Sequence, residues 1–238
     1  MMKVLLLSTS TVYGKPYLEY CNNLLEDYYK GIKSLLFVPY ARPGGTSHDD
    51  YTKVAAARFD KLGIKTRGIH EFKNDKYVLN DFEAMFIGGG NTFLLLKQLY
   101  NFNLLDAIKE RVVNGKMQYM GTSAGSNIAG MSINTTNDMP IVYPPSFDSL
   151  GIVPFNLNPH YLDPDPTSKH KGETRETRIK EFHSREENKQ KVVGLREGSG
   201  LLIENSKVTL TGELPARIFT SSSDPIEYKA NSDLSFLM

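Results

Sequence analysis

The sequence predicts an α/β fold in which a doubly wound, mostly parallel sheet carries an antiparallel, mixed edge. In the first half of the chain, short apolar runs alternate with longer amphipathic segments, which is the pattern of βαβ units. Near the end, short apolar runs are separated only by turn residues, which is typical of antiparallel pairs. No repeat, low-complexity stretch or composition shift divides the 238 residues, so we expect one domain over residues 1–238.

Strands in the first half are predicted from the apolar runs, and helices from the segments between them. The run at residues 84–87 is the clearest strand, because it is fully apolar and closes on a glycine-rich turn that can end a strand and cap a helix. The predicted strands are residues 3–8, 34–38, 66–69 and 84–87 and the apolar run before Ser123, and the predicted helices are residues 17–30, 50–62, 92–99, 104–113 and 124–129.

The second half of the chain is predicted to contain long loops. Residues 135–146 are rich in Pro, Asn and Asp, and residues 159–166 are rich in Pro. Loops of this length inside a compact domain usually build a site or a lid. A helix is predicted at residues 173–185, followed by short strands at residues 192–194, 201–203 and 208–210.

The composition argues against two classes of partner. Lys and Arg total 28 against 27 Asp and Glu, a formal charge of +1, so no global field favours nucleic acid or a membrane surface. The apolar run at the amino terminus is too short for a signal-peptide core or a membrane span. The single cysteine, Cys21, cannot form an internal disulfide, which suits a reducing compartment.

Ser123 is the candidate nucleophile. It lies in Gly-Thr-Ser-Ala-Gly at residues 121–125, between a predicted buried strand and a predicted helix, which fits the G-x-S-x-G elbow. Small neighbours let the two elements approach while the serine hydroxyl stays exposed in a strained turn. A glycine-rich turn without chemistry is the alternative interpretation, because short motifs also occur by chance.

A nucleophilic serine needs a base, and the sequence contains five histidines. His48 lies in a polar loop, His70 at the end of a weak strand, His170 in a second polar loop and His183 on a charged helix. His160 differs, because it ends an alternating segment and follows a proline. It is therefore the candidate base, with an ordinary loop histidine as the alternative.

Three carboxylates are candidates to hold the second nitrogen of this imidazole. Glu197 follows a predicted strand, and because the carboxyl ends of parallel strands share one edge, we expect it to meet Gly90 and Ser123 there. Asp138 lies in the loop at residues 135–146, and Glu173 lies at a predicted helix start. For all three, a purely structural carboxylate in a turn or at a helix start is the alternative.

Other chemistries have weaker support. The glycines at residues 88–90 lack the Gly-Lys-Ser/Thr ending of a P-loop and the G-x-G-x-x-G spacing. No Cys/His set has zinc spacing, and the adjacent side chains of His48, Asp49 and Asp50 are weak evidence for a cation site. We therefore expect neither a metal nor a cofactor. The common α/β-hydrolase order places the histidine last, whereas no histidine follows Glu197.

Five motifs in one order resemble a known family. They are Gly-Thr-Ser-Ala-Gly-Ser-Asn at residues 121–127 and the segments at residues 87–93, 135–142, 158–160 and 170–175. Together they closely resemble peptidase E, the α-aspartyl dipeptidases of the S51 serine peptidases. The resemblance implies a metal-free cytoplasmic enzyme that cleaves dipeptides with amino-terminal aspartate. It also implies a flavodoxin-like fold similar to that of class I glutamine amidotransferases.

The resemblance implies roles for particular residues. It maps a Ser-His-Glu triad to Ser123, His160 and Glu197, and the argument from the residues adds the backbone N–H groups of Gly90 and Ala124 as the oxyanion hole. Three further residues are implied around the substrate, with Arg175 reading the aspartate carboxylate and Asp138 or Glu173 holding the α-amino group.

Three residues differ from the family pattern or lie beside a predicted site residue. Thr122 and Ser126 stand where family members carry other residues, and Arg196 is a neighbour that can compete with His160 for Glu197.

A cyanophycinase-like hydrolase of β-aspartyl peptides and a non-enzymatic relative are the alternative functions. A glutaminase is disfavoured, because that family uses a nucleophilic cysteine and a His-x-Glu pair. The expected partner is a small Asp-X dipeptide, and the chain is either a monomer or a homodimer.

Overall fold

The computed structural model describes residues 1–169 and 171–238, and there it contains eleven strands in two sheets and six α-helices. The strands are β1 (Lys3–Leu7), β2 (Ser34–Val38), β3 (Lys65–Gly68), β4 (Ala84–Ile87), β5 (Gln118–Thr122), β6 (Asn156–Pro159), β7 (Val192–Leu195), β8 (Gly200–Glu204), β9 (Lys207–Thr211), β10 (Ala216–Thr220) and β11 (Ser223–Tyr228). The helices are α1 (Asn22–Tyr28), α2 (His48–Phe59), α3 (Thr92–Asn101), α4 (Leu105–Val113), α5 (Ala124–Asn127) and α6 (Arg175–His183).

The larger sheet has the strand order β3-β2-β4-β5-β1-β8-β9. Its first five strands are parallel, and β8 and β9 add an antiparallel edge. From Val4 onward, alternate residues of β1 point into two different hydrophobic clusters, Leu6 into one and Leu5 into the other, and these residues are buried. Burial on both faces explains why β1, β2 and β4 are largely apolar, whereas the edge strand β3 is polar and partly exposed. The predicted mostly parallel sheet with an antiparallel edge is confirmed.

A second sheet has the strand order β11-β10-β7-β6, with β6 and β7 parallel and the other pairs antiparallel. The sequence did not predict this separate sheet. The reason is clear in β6, whose sequence Asn-Leu-Asn-Pro lacks the pattern of a buried strand. Its Asn158 side chain is nevertheless buried, because it donates to the Thr135 carbonyl and to Asn137 Oδ1, both at 2.8 Å.

The helices differ from their predicted bounds where the backbone turns. Leu18 has a φ of 55°, which no helix continues, so α1 begins at Asn22 rather than at residue 17. His48 belongs to α2 rather than to a loop, because the Ser47 hydroxyl accepts from the Asp50 N–H and caps that helix. Within the described residues, no helix is long and apolar enough to cross a membrane.

The carboxyl end of β1 joins the two sheets. Ser8, which follows β1, donates its N–H to the Ser199 carbonyl at 3.0 Å and its hydroxyl to the Leu195 carbonyl at 2.8 Å. Leu195 is the last residue of β7. The carboxyl ends of β1 and β5 in the larger sheet therefore lie beside the carboxyl ends of β6 and β7 in the second sheet.

Candidate active site

Ser123 occupies a strained turn between β5 and α5. Its backbone has a φ of 51° and a ψ of −111°, a combination that side chains with a Cβ rarely adopt. The Ser123 N–H donates to the Leu7 carbonyl at 3.1 Å, and the Ser123 carbonyl accepts from the N–H groups of Ser126 and Asn127, both at 2.9 Å. A Cβ on Gly125 would lie 2.1 Å from the Ile87 carbonyl oxygen, so the helix start needs glycine there.

His160 lies directly after β6, and its imidazole bridges the two sheets. Its Nε2 is 2.9 Å from Ser123 Oγ, and its Nδ1 is 2.7 Å from Glu197 Oε1. Because an ionised carboxylate can only accept, Nδ1 carries the proton and donates to Glu197. Nε2 of the neutral imidazole is then free to accept the Ser123 hydroxyl proton. The serine, the imidazole and the carboxylate thus form one continuous hydrogen-bonded chain.

Of the three candidate carboxylates, only Glu197 contacts the imidazole. Asp138 Oδ2 accepts from the Thr92 N–H at 2.7 Å, where it caps the N-terminus of α3. Glu173 is exposed, and its Oε2 lies 3.7 Å from Arg178 Nε. These contacts explain why the sequence alone did not choose among the three carboxylates. The partner of Asp138, Thr92, is distant in sequence, and the partner of Glu173, Arg178, lies in α6.

Arg196 does not compete for Glu197. Its Nη2 lies 2.6 Å from Asp163 Oδ1 and 2.8 Å from Glu227 Oε1. The hydrogen bonds that Arg196 donates to Asp163 and then to Glu227 raise its pKa, although burial opposes them, so the guanidinium stays charged and paired with these two acids. Arg196 therefore does not compete with His160 for Glu197, whose carboxylate accepts from the imidazole.

The glycine run after β4 lies against Ser123. A Cβ on Gly89 would be 3.1 Å from Ser123 Cβ. Gly90 has a φ of 145°, and a Cβ there would lie 2.2 Å from the Ala41 carbonyl oxygen, so glycine is required. On the other side of Ser123, Ala124 is the first residue of α5, and its N–H has no acceptor within the helix. Ala124 thus follows the serine directly, and Gly89, the neighbour of the other predicted oxyanion donor, Gly90, lies against it.

Arg175 is the first residue of α6 and is half-buried. Among residues 1–169 and 171–238, no carboxylate forms an ion pair with its guanidinium. Burial lowers the pKa of Arg175, nearby Arg178 lowers it further, and Asp138 partly opposes both effects. Arg175 is thus a partly desolvated cation, and the carboxylate that acts on its pKa is that of Asp138. Such a cation is suited to an incoming anion.

Two other histidines have partners of their own, away from Ser123. His70 Nε2 lies 2.8 Å from Asp49 Oδ1, and His183 Nε2 lies 2.9 Å from the Gln190 carbonyl oxygen. His170 lies outside the described residues. Within the described part of the chain, no three His, Cys, Asp or Glu side chains converge as a metal site requires.

Sequence reasoning missed Ser8. It is fully buried, and its Oγ accepts from the His160 N–H at 2.9 Å. The only available signal was a polar residue placed directly after the first apolar strand. Such a residue is also common where a strand simply ends, so the pattern alone does not single it out.

An α/β fold that links a serine, an imidazole and a carboxylate in one chain of hydrogen bonds is typical of enzymes that hydrolyse acyl compounds through a nucleophilic serine. Comparison with known proteins narrows the class. Residues 4–211 match Peptidase family S51. The chain therefore belongs to peptidase family S51 and is a peptidase. The resemblance recognised from the five motifs is confirmed.

Individual relatives agree with this assignment. The chain is 48% identical to a protein named Peptidase E from Streptomyces coelicolor, over 100% of this chain and 95% of that protein. It is 44% identical to a protein named Probable alpha-aspartyl dipeptidase from Drosophila melanogaster, over 99% of this chain and 97% of that protein. A solved structure of a putative Peptidase E protein from Listeria monocytogenes shares the fold, with a TM-score of 0.67 at 20% identity over 89% of this chain and 98% of that chain.

The strained backbone of Ser123 predicts that glycine at this position gives a more stable protein than alanine. We expect Ser123→Gly to be more stable than Ser123→Ala by about 1 kcal/mol, because glycine relieves roughly 1–3 kcal/mol of strain and loses only about 0.5–1 kcal/mol more backbone entropy. Urea denaturation of both variants measures the difference. The control pair is Ser149→Gly and Ser149→Ala, at a position without a positive φ. A Ser123→Gly variant that is less stable than Ser123→Ala would show that the turn stores no strain.

Proposed function

We propose that this chain is a serine exopeptidase that hydrolyses dipeptides with an amino-terminal aspartate. The observation that carries the proposal is the hydrogen-bonded chain from Ser123 through His160 to Glu197. Family membership supports peptide hydrolysis, and the name of the Drosophila relative supports α-aspartyl dipeptides as the substrate class.

The reaction begins with the attack of Ser123 Oγ on the peptide carbonyl carbon, while His160 Nε2 takes the hydroxyl proton. Glu197 orients the imidazole and stabilises the imidazolium that forms. The N–H groups of Gly90 and Ala124 donate to the oxyanion. The peptide C–N bond then breaks as His160 returns the proton to the leaving amine. Water, deprotonated by His160, cleaves the resulting ester and releases aspartate and free Ser123.

Substrate choice is assigned to charge complementarity. The guanidinium of Arg175 binds the side-chain carboxylate of the substrate aspartate, since a planar fork can hold a carboxylate through two hydrogen bonds. The α-amino group of the substrate needs an acid nearby. Asp138 suits this role better than Glu173, because Asp138 acts on Arg175 electrostatically while Glu173 pairs with the exposed Arg178.

Three further proposals describe the setting of the enzyme. It works in the cytoplasm, which the single buried cysteine Cys21 supports. Its partner is the small Asp-X substrate and not a nucleic acid or a membrane, in keeping with the formal charge of +1. It functions as a single domain over residues 1–238, as a monomer or a homodimer.

The proposal is tested by assaying Asp-Leu hydrolysis with variants of Ser123, His160 and Glu197. Ser123→Ala and His160→Ala should lower kcat by at least about 10,000-fold, and Glu197→Gln by a similar factor, because the three groups act as one unit. His48→Ala, at an exposed histidine, is the control and should keep wild-type kcat. Circular dichroism checks folding of each variant. Wild-type turnover by folded Ser123→Ala would refute the assignment.

The charge assignment predicts a change of specificity. Arg175→Met should reduce the preference for Asp-Leu over Asn-Leu, measured as a ratio of kcat/KM values, by about 10- to 100-fold, because a charged hydrogen-bonded pair is lost. The matched control is Arg178→Met, three residues further along the same helix, where the side chain is exposed. An Arg175→Met variant that keeps the wild-type ratio shows that another group reads the aspartate.

A further inference from the structure

His160 has a strained backbone of its own. Its φ is 55°, in the left-handed region that residues with a Cβ rarely adopt. Such a conformation persists only where the surrounding structure determines it. The imidazole must also reach both Ser123 Oγ and Glu197 Oε1, at 2.9 Å and 2.7 Å. Something therefore has to hold the His160 backbone in place.

The Ser8 hydroxyl makes that contact. Its oxygen accepts from the His160 N–H at 2.9 Å, and its proton is donated to the Leu195 carbonyl at 2.8 Å. The side chain is fully buried, so water does not replace either bond. One hydroxyl thus connects the backbone of His160 to the last residue of β7, the strand that precedes Glu197.

The Ser8 backbone extends the same connection. Its N–H donates to the Ser199 carbonyl at 3.0 Å, so Ser8 contacts the Glu197 turn on both sides, at Leu195 and at Ser199. The preceding residue, Leu7, accepts from the Ser123 N–H at 3.1 Å. Two adjacent residues at the end of β1 therefore contact the nucleophile, the base and the turn that carries the acid.

We propose that Ser8 is a positioning residue that holds the His160 backbone where its imidazole can contact Ser123 and Glu197 at the same time. It touches neither the substrate nor the reacting atoms, and it acts through the His160 backbone. The inference rests on the proposed function, because it takes His160 to be the base. Loss of the Ser8 hydroxyl leaves the His160 N–H without its acceptor and removes the contact made by the left-handed residue itself, whereas its neighbours Pro159 and Tyr161 keep their own hydrogen bonds.

The test compares Ser8→Ala with the wild-type enzyme on Asp-Leu. A displacement of about 1 Å at the base can lower turnover about 100-fold, so we expect kcat to fall by about that factor. KM should stay within about threefold, because substrate binding is untouched. The labelling rate of Ser123 by a fluorophosphonate should fall in parallel. The low-field proton resonance of the His160–Glu197 hydrogen bond should shift or broaden.

Matched variants separate positioning from general stability. Ser149→Ala also loses a side-chain hydrogen bond, the partly buried one from Ser149 Oγ to the Gly130 carbonyl at 2.7 Å, but Ser149 contacts no member of the triad, so this variant should keep wild-type kcat. Ser8→Thr keeps the hydroxyl and should recover most of the turnover lost in Ser8→Ala. Thermal unfolding of each variant sets an assay temperature at which all are folded.

The outcomes are decisive for Ser8 alone. If His160→Ala is inactive while folded Ser8→Ala keeps wild-type kcat and labelling rate, the positioning role is wrong and the proposed function stands. If His160→Ala keeps wild-type activity, the proposed function itself fails. If Ser8→Ala does not fold, Ser8→Cys takes its place, since sulfur is a weaker acceptor of similar shape. Wild-type kcat in folded Ser8→Cys would also overturn the inference.

Discussion

The site depends on the hydrogen bonds that the carboxyl end of β1 makes to both sheets. The Leu7 carbonyl accepts from the Ser123 N–H and from Ser126 Oγ, which anchors the serine turn to the larger sheet. The next residue, Ser8, contacts Leu195 and His160 in the second sheet and at its edge. Because serine and imidazole come from different sheets, their separation is set by this junction rather than by either sheet alone.

Two residues of the proposed triad have a strained backbone. Both Ser123 and His160 have positive φ values, 51° and 55°, although neither is glycine. The surrounding backbone contacts hold these conformations. The junction at Leu7 and Ser8 supplies the rigidity that is needed to keep Ser123, His160 and Glu197 within hydrogen-bonding distance. The Arg196 ion pairs with Asp163 and Glu227 add to this by keeping a neighbouring cation away from Glu197. Stability elsewhere in the fold thus offsets a locally unfavourable backbone.

Much of this arrangement could be predicted from local sequence patterns. Strands β1, β2 and β4 are largely apolar because both of their faces are buried. The glycines around Ser123 mark a turn that only small residues allow. The second sheet could not be predicted in this way. Asn158 is acceptable in β6 because oxygens of Thr135 and Asn137, more than twenty residues earlier, accept from its side-chain NH2 group. Pro225 in β11 is tolerated because that strand lies at a sheet edge. The role of Ser8 likewise depends on a contact across 152 positions.

The most direct test of the account is to trap the covalent intermediate. Wild-type enzyme mixed with Asp-Leu is quenched with acid on the millisecond scale, digested, and analysed by mass spectrometry. The account predicts an aspartyl ester on the peptide that contains Ser123, because the serine oxygen attacks the carbonyl of the amino-terminal residue. Turnover of Asp-Leu with the aspartyl group on a different residue would contradict it.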